Sequence, residues 1–363
     1  MVASDETAQS GLDTKLGDTC SRTAFGWAKK SFGNRAGRMG FPIFKAEGGF
    51  SNLMDFGGLR LAMTSDGVGT KVEVAERLGV YDTLGYDLVA MTCDDLAAAG
   101  VEPVNLSNIL DVDRLDERVV DALMRGLHAA AEVAGIAVVG GEIAELGERI
   151  GGWGSGMHFN WCATAIGVLP ADQEPLDGSA VAPGQAVVAL RSRGLRSNGY
   201  SLARRLLAQA HGPDWHGVPS GDGRSWGEAL LTPSLIYCPL ITELRRRGVP
   251  LTGVAHITGG GIADNFARVL ALRGLGAALD DVFPPQPFVL ALQALGGVPE
   301  AQAYQLWNMG NGMLFTLPAE AAPEACAIAA AQGYQARIAG AVTAEPTIVL
   351  DTRGCQPGRL LHR

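Results

Sequence analysis

From about residue 50 the chain alternates short apolar runs with longer segments whose apolar residues recur at helical spacing. Residues 59–64, Leu-Arg-Leu-Ala-Met-Thr, read as a strand. Residues 82–99 read as a helix, with Leu84, Leu88, Met91 and Leu96 on one face and Gly100 as its stop signal. A second strand is expected over 104–110. Asp116 then opens a helix running to Ala134, striped by Val119, Val120, Leu123, Met124, Leu127, Ala130 and Ala131 and ended by Gly135. Residues 136–139, Ile-Ala-Val-Val, read as a buried strand that stops at Gly140-Gly141-Glu142, and 159–168 as a further β-run.

Residues 170–184 hold three prolines and two glycines and read as a domain boundary. A second unit opens with a strand at 187–190. Helices are expected near 200–210 and 234–247, just after Gly259-Gly260-Gly261, and over the Ala-rich 320–332, within a stretch (307–350) that again alternates strand and helix. Residues 212–227, polar and Gly-rich, read as a long surface loop. Residues 1–45, polar with Gly11, Gly17, Gly26, Gly33 and Gly37, read as a tail or flap with short structured pieces. Mixed α and β elements in two halves predict two α/β or α+β domains.

Composition narrows the function classes. The 363 residues are 47% apolar, enough for a large core and against global disorder. Glycine supplies 49 of them, nearly twice the ordinary share of about 7%. Their grouping in short loops points to ligand contact through the backbone. The net charge of −9 argues against a general nucleic-acid or membrane-surface binder, whose footprint would be basic. No apolar run approaches the roughly 18–20 residues of a membrane span, and the acidic, polar N-terminus predicts no secretory signal, so a cytoplasmic location is expected. The six cysteines form no Cys-x-x-Cys pair and read as reduced structural thiols. The dispersed histidines give no zinc motif.

Thr64-Ser65-Asp66-Gly67-Val68-Gly69-Thr70-Lys71 follows directly on a strand. Exposed N–H groups of such a turn cradle phosphate oxygens, Thr70 and Lys71 add a donor and a charge, and Asp66 is placed for Mg²⁺. It is neither a Walker loop nor a dinucleotide fingerprint; an ordinary Gly-containing turn is the alternative. Asp94 and Asp95 lie in an otherwise apolar helix, about 100° apart. One reading makes them a solvated acid and a capping or paired acid; the other makes one a metal ligand beside Asp66. Gly140-Gly141-Glu142 sets a carboxylate where open α/β sheets bind ligands. His256-Ile257-Thr258-Gly259-Gly260-Gly261 precedes a helix whose N-terminus suits an anion, or is simply a flexible helix entry. His256 itself reads more readily as structural than as catalytic.

Taken in order, these pieces resemble the aminoimidazole ribonucleotide synthetase (phosphoribosylformylglycinamidine cyclo-ligase) family. The resemblance rests on 66–71, on 87–91 continuing through Asp95-Leu96 to 100–103, and on Gly140-Gly141-Glu142 with Ala144-Glu145. It extends to Ser197-Asn198-Gly199-Tyr200-Ser201-Leu202, His256 to Gly261, Asn308-Met309-Gly310 with Gly312-Met313, and Ser10-Gly11-Leu12-Asp13. It implies an α/β fold of two domains after the tail of 1–45. Residues 46–172 would be an ATP-binding and dimerisation domain whose four-stranded sheet with helices builds a dimeric barrel. Residues 173–363 would be a ferredoxin-like α/β domain. The active site would lie in the cleft between them, near the dimer interface.

The implied chemistry is ATP-dependent ring closure in purine biosynthesis, by a homodimer requiring ATP and Mg²⁺. A formyl or amide oxygen of formylglycinamidine ribonucleotide is phosphorylated. An internal nitrogen then attacks that carbon, and phosphate leaves in place of a poor oxide leaving group. On this reading Lys71, Asp95 and Glu142 are catalytic. Asp66, Gly67, Val68, Gly69, Thr70 and Lys71 bind ATP, and Asp66 and Asp95 hold the metal. Gly141, Arg196, Ser197, Asn198, Thr258, Gly259 and Gly260 bind the ribonucleotide.

The chain departs from the family on the substrate side. Asn108-Ile109-Leu110-Asp111-Val112-Asp113 replaces Asp-Tyr-Tyr-Ala-Thr-Gly, and Leu146-Gly147-Glu148-Arg149-Ile150 replaces Met-Pro-Gly-Met-Tyr. Arg196 stands where the family has His, and Asn311 where it has an apolar residue. Arg is charged at all working pH values, so Arg196 is no general base, but it binds phosphate or carboxylate bidentately. Two alternatives stay open: a paralogue with the same chemistry on another amide or amidine, or a non-catalytic nucleotide-binding scaffold. The retained Asp66, Lys71, Asp95 and Glu142 argue against the scaffold.

Overall fold

Period-two alternation in the first half becomes one sheet of β1 (Phe41–Ile43), β2 (Asn52–Asp55), β3 (Arg60–Gly67), β4 (Glu102–Val112), β5 (Ala137–Glu145) and β6 (Phe159–Leu169), in the order β1-β2-β3-β6-β4-β5. The structure is a computed structural model and describes residues 14–43 and 52–363; the segment 10–13 invoked above lies outside them. Only β4 and β5 run parallel. The sheet has six strands rather than the implied four, because the short hairpin β1–β2 extends the edge at β3. The N-terminal segment carries a 17-residue helix, α1 (Thr14–Lys30), longer than the short pieces its composition suggested.

Helices α2 (Val72–Leu78), α3 (Leu84–Ala98) and α4 (Glu117–Ala134) follow. The start and stop of α4 are those its sequence announces. The Asp116 side chain accepts from the Arg118 N–H, and Gly135 closes the helix in the left-handed region at φ 70°. Helix α3 is buried almost all round, which explains its lack of a polar face. It lies on the sheet, crosses α4 and meets the second half of the chain. The crossing is close: a Cβ on Gly126 would lie 2.0 Å from the Asp82 carbonyl oxygen, and one on Gly85 2.3 Å from the Gly126 carbonyl carbon.

The expected buried strand at 136–139 is instead the start of an exposed edge strand. Val139 is 63% exposed, and pairing runs through the glycine pair to Glu145 rather than stopping there. The sheet face away from α3 is also open in the single chain, where Met63 and Ile109 are about half exposed.

The second sheet joins β7 (Ala186–Arg191), β8 (Gly253–His256), β9 (Gly276–Leu279), β10 (Asn311–Leu317), β11 (Ala336–Thr343), β12 (Ile348–Asp351) and β13 (Arg359–His362) in the order β13-β12-β9-β11-β7-β10-β8. All pairings are antiparallel except β9–β12. Helices α5 (Tyr200–His211), α6 (Trp226–Leu230), α7 (Cys238–Arg246), α8 (Gly261–Ala271), α9 (Pro287–Leu295), α10 (Glu300–Leu306) and α11 (Ala322–Ala331) connect the strands. Helix α7 starts four residues later than its pattern suggests. Pro239 suits its first turn, while Asp94 takes the N–H groups of Tyr237 and Cys238 and holds the preceding segment out of the helix. The expected surface loop at 212–227 buries Trp215 and Trp226 completely or nearly so. Among the described residues no helix is long and apolar enough to cross a membrane.

Candidate active site

The loop 66–71 leaves the end of β3. Val68 is fully buried and its N–H donates to the Trp161 carbonyl at 3.0 Å, which pins the loop to β6. Gly69, at φ 68°, makes the turn that brings the chain against loop 196–199: a Cβ there would lie 3.7 Å from the Ser197 carbonyl oxygen. Thr70 Oγ1 lies 3.5 Å from Ser201 Oγ. The two halves of the chain therefore meet at the expected nucleotide loop. Lys71 closes it but turns inward. Its Nζ is 2.7 Å from Asp87 Oδ2 and donates to the Thr232 carbonyl at 2.7 Å, with no side-chain exposure.

Asp66 ends β3 on the face covered by α3, and Gly67 N–H donates to its Oδ1 at 2.6 Å. Burial holds its carboxyl above the usual range, and the Asp95 charge pushes the same way. Asp94 and Asp95 part company as two acids 100° apart must. Asp94 is wholly buried, with Oδ2 2.7 Å from Arg196 NH2 and Oδ1 accepting the Tyr237 and Cys238 N–H groups, both at 2.8 Å. It is the paired and capping acid of the alternatives above. Asp95 is half-buried on the side of α3 toward β8, with Oδ1 2.8 Å from His256 Nδ1. Burial pushes Asp95 up to about 7, against the opposing charges of Arg268 and Arg196. Burial, helped by the Arg196 charge, pulls His256 down to about 3, so the ring is neutral at pH 7. His256 Nε2 is buried with no hydrogen-bond partner among the described residues.

The second-half loops converge on the same place. Arg196 is 1% exposed, adopts φ 62°, and stacks its guanidinium 4.8 Å from the Tyr237 ring centroid. One nitrogen serves Asp94; Nε and NH1 find no acceptor among the described residues. Ser197 Oγ and Asn198 Nδ2 are likewise buried and unpartnered there. Asn198 Oδ1 approaches Gly259, where a Cβ would lie 3.4 Å away. Thr258, Gly259 and Gly260 form the entry to α8. Asn265 Nδ2 ties it down by donating to the Gly261, Gly259 and Thr258 carbonyls at 2.8, 3.2 and 3.4 Å. Buried donors without acceptors are rare in finished interiors. Four of those among the described residues lie along loop 196–198.

Glu142 and Gly141 are not brought to this cluster within one chain. The register places Asp66, Ala163, Asn108 and Gly141 in one row across the sheet and Gly67, Cys162, Ile109 and Glu142 in the next. Side chains of adjacent rows point to opposite faces, and three strand spacings amount to about 14 Å. Glu142 is thus exposed on the open face, far from Asp66 and Asp95.

The pairing of His256 with Asp95 is not legible in the sequence, which offers a paired acid at 94 or 95 without its partners. An acid at 87 and another at 94, two turns apart in an apolar helix, was the available signal.

Among the described residues no three His, Cys, Asp or Glu side chains form a metal cage. Mg²⁺ asks for less: one or two carboxylates, with waters and substrate phosphates completing the shell. Asp66 and Asp95, both carboxylates near enough to feel each other's charge, fit that need.

Two helix-covered sheets joined in this order define a fold that known structures share. Thiamine-monophosphate kinase from Stenotrophomonas maltophilia K279a superposes with TM-score 0.60 at 18% identity, covering 86% of this chain and 92% of that one. The hydrogenase maturation protein HypE in complex with ATP gives 0.57 at 18%, covering 83% and 84%. The family is narrower than the fold. Residues 51–168 match AIR synthase related protein, N-terminal domain, and 182–352 match AIR synthase related protein, C-terminal domain; the chain belongs to this family. The phosphoribosylformylglycinamidine cyclo-ligase of Thermococcus kodakarensis is 38% identical over 347 residues, 96% of this chain and 98% of its own length. That of Sorangium cellulosum is 39% identical over 312 residues, covering 84% and 88%.

Proposed function

We propose that this chain is an ATP-dependent phosphoribosylformylglycinamidine cyclo-ligase. It would close formylglycinamidine ribonucleotide to aminoimidazole ribonucleotide in cytoplasmic purine biosynthesis. The end-to-end likeness to a cyclo-ligase, 38% over 96% of the chain, carries the reading. The geometry supplies a chemistry to go with it.

In this reading loop 66–71 takes the phosphates of ATP, and loop 196–198 with the α8 entry takes the ribonucleotide. The junction at Gly69 and Ser197 sets the transferred phosphoryl group against the formyl oxygen. Asp66 and Asp95 would hold Mg²⁺, which would supply positive charge to offset that of the phosphates. The free donors Arg196 Nε and NH1, Ser197 Oγ and Asn198 Nδ2 suit an anionic or carbonyl oxygen. Transfer to the formyl oxygen releases ADP. The internal nitrogen then forms its bond to the formyl carbon, the bond to the phosphorylated oxygen breaks, and the nitrogen loses a proton. His256 Nε2, left unpartnered by the Asp95 contact at Nδ1, suits a hydrogen bond from the reacting N–H, while the departing phosphate takes the proton.

The open sheet face and the unpaired edge of β5 support a homodimer in which two first-half sheets close a barrel, with the ferredoxin-like second halves outside. Glu142 would then serve the partner's site, consistent with its distance from Asp66 in one chain.

Purified protein given formylglycinamidine ribonucleotide and ATP·Mg²⁺ should release one ADP per product, and that product should be lighter than the substrate by one water. ADP release without loss of water would favour a paralogue acting on another amidine. No ADP release would remove the enzyme reading altogether.

A further inference from the structure

Lys71 is the last residue of the loop taken here to bind nucleotide, and a lysine in that place invites a phosphate. Its surroundings point elsewhere. Both Lys71 and its partner Asp87 have 0% side-chain exposure, at an Nζ to Oδ2 distance of 2.7 Å. A second Lys71 donor goes to the Thr232 carbonyl, and the Tyr200 ring lies 5.8 Å from Nζ. The other oxygen of Asp87 accepts from Ser234, from its N–H at 3.2 Å and its hydroxyl at 2.5 Å. Burial favours the neutral form of each group, and each charge holds the other in place.

Two turns further along α3, Asp94 repeats the arrangement. It takes the Arg196 guanidinium on one oxygen and two backbone N–H groups of 237–238 on the other. Helix α3 thus carries a column of two buried carboxylates. Each binds a cation from one of the two cleft loops, and each docks the same segment, 234–238, of the second half.

We propose that Lys71 is a positioning residue rather than a phosphate ligand: with Asp87 it anchors the closing end of loop 66–71 to α3 and to residues 232–234. The pair sets where the donors of the loop stand relative to loop 196–198. This rests on the nucleotide reading of loop 66–71 and changes the part Lys71 plays in it.

A buried ion pair offers its own test, because removing one partner strands a charge while replacing both with apolar groups of similar size is tolerated. Lys71→Met and Asp87→Asn should each raise the KM for ATP by about ten- to a hundredfold, the expected range for a displaced binding loop, and change the KM for the ribonucleotide less. The double variant Lys71→Met with Asp87→Leu should bring the ATP KM back to within about threefold of the parent, as two residues acting through one interaction require. A double variant with parental Tm but the full ATP defect of Lys71→Met makes Lys71 a phosphate ligand and overturns the proposal. Single variants with parental ATP KM overturn it as well.

If the double variant does not fold, labelling of the parent enzyme decides. Reductive methylation with formaldehyde, read by mass spectrometry, should leave Lys71 unmodified in the native protein with or without ATP·Mg²⁺. Modification that ATP·Mg²⁺ blocks would overturn the assignment. Failure of the nucleotide reading itself would appear first and separately, as a parent enzyme that consumes no ATP.

Discussion

At the scale of single residues, the Asp95–His256 contact joins two groups displaced in opposite directions by the same burial. Between about pH 4.5 and 6 the folded Asp95 keeps a proton that its unfolded counterpart has lost, so stability falls as pH rises. Over the same window the folded His256 lacks a proton that the unfolded ring holds, so stability rises with pH. The two slopes cancel in the parent. Asp95→Asn removes only the first. Its unfolding free energy, taken from urea midpoints and compared with the parent at each pH, should therefore climb by about 1.4 kcal/mol per pH unit across that window. A difference that stays flat would mean that Asp95 is ionised in the folded protein. The acids at 66 and 95 were legible in the sequence because a glycine loop and an apolar helix frame them, whereas the Ser-Asn of 197–198 was legible only through the family resemblance. The inward turn of Lys71 was not, because its partners at 87, 232 and 234 come from elements whose packing no local pattern reports.

Among elements, the helices with chemical punctuation were the readable ones. Helix α4 begins at Asp116 and ends at Gly135 because side-chain capping and a left-handed glycine are local events. Strand β5 was misread as interior for the opposite reason. Its apolar residues are those of a buried strand, and within one chain nothing covers them. Helix α7 was placed too early because the acid that holds back its first residues lies on α3. The α3–α4 crossing is where sequence leaves least latitude. Gly126→Ala drives a methyl group into the Asp82 carbonyl, and relieving it means parting two packed helices. A loss of about 1–3 kcal/mol is expected, seen as a lower denaturant midpoint with unchanged slope. A midpoint equal to the parent's would show that the crossing has slack.

For the whole molecule, the placement of Glu142 makes a test that needs no structure of a dimer. If Glu142 of one subunit completes the site containing the other's Asp95, Glu142→Gln and Asp95→Asn are each inactive alone. Mixed and exchanged, they should regain activity, because every mixed dimer has one site with neither change. Mixtures that stay inactive, although mass analysis finds mixed dimers, would place both carboxylates in the same subunit's site. The anchoring of Lys71 also has a consequence in time. The first sheet is complete at Leu169, but Thr232, whose carbonyl Lys71 needs, is made roughly 60 residues later. At about 5–20 residues per second that is about 3–12 s of synthesis. Through those seconds a lysine and an aspartate destined for the interior remain in water, and the loop between β3 and α2 has no floor. Loop 66–71, early in the chain, is among the last parts of the first half to set. A nascent chain cut short before residue 232 carries the strands of a sheet without the means to finish loop 66–71.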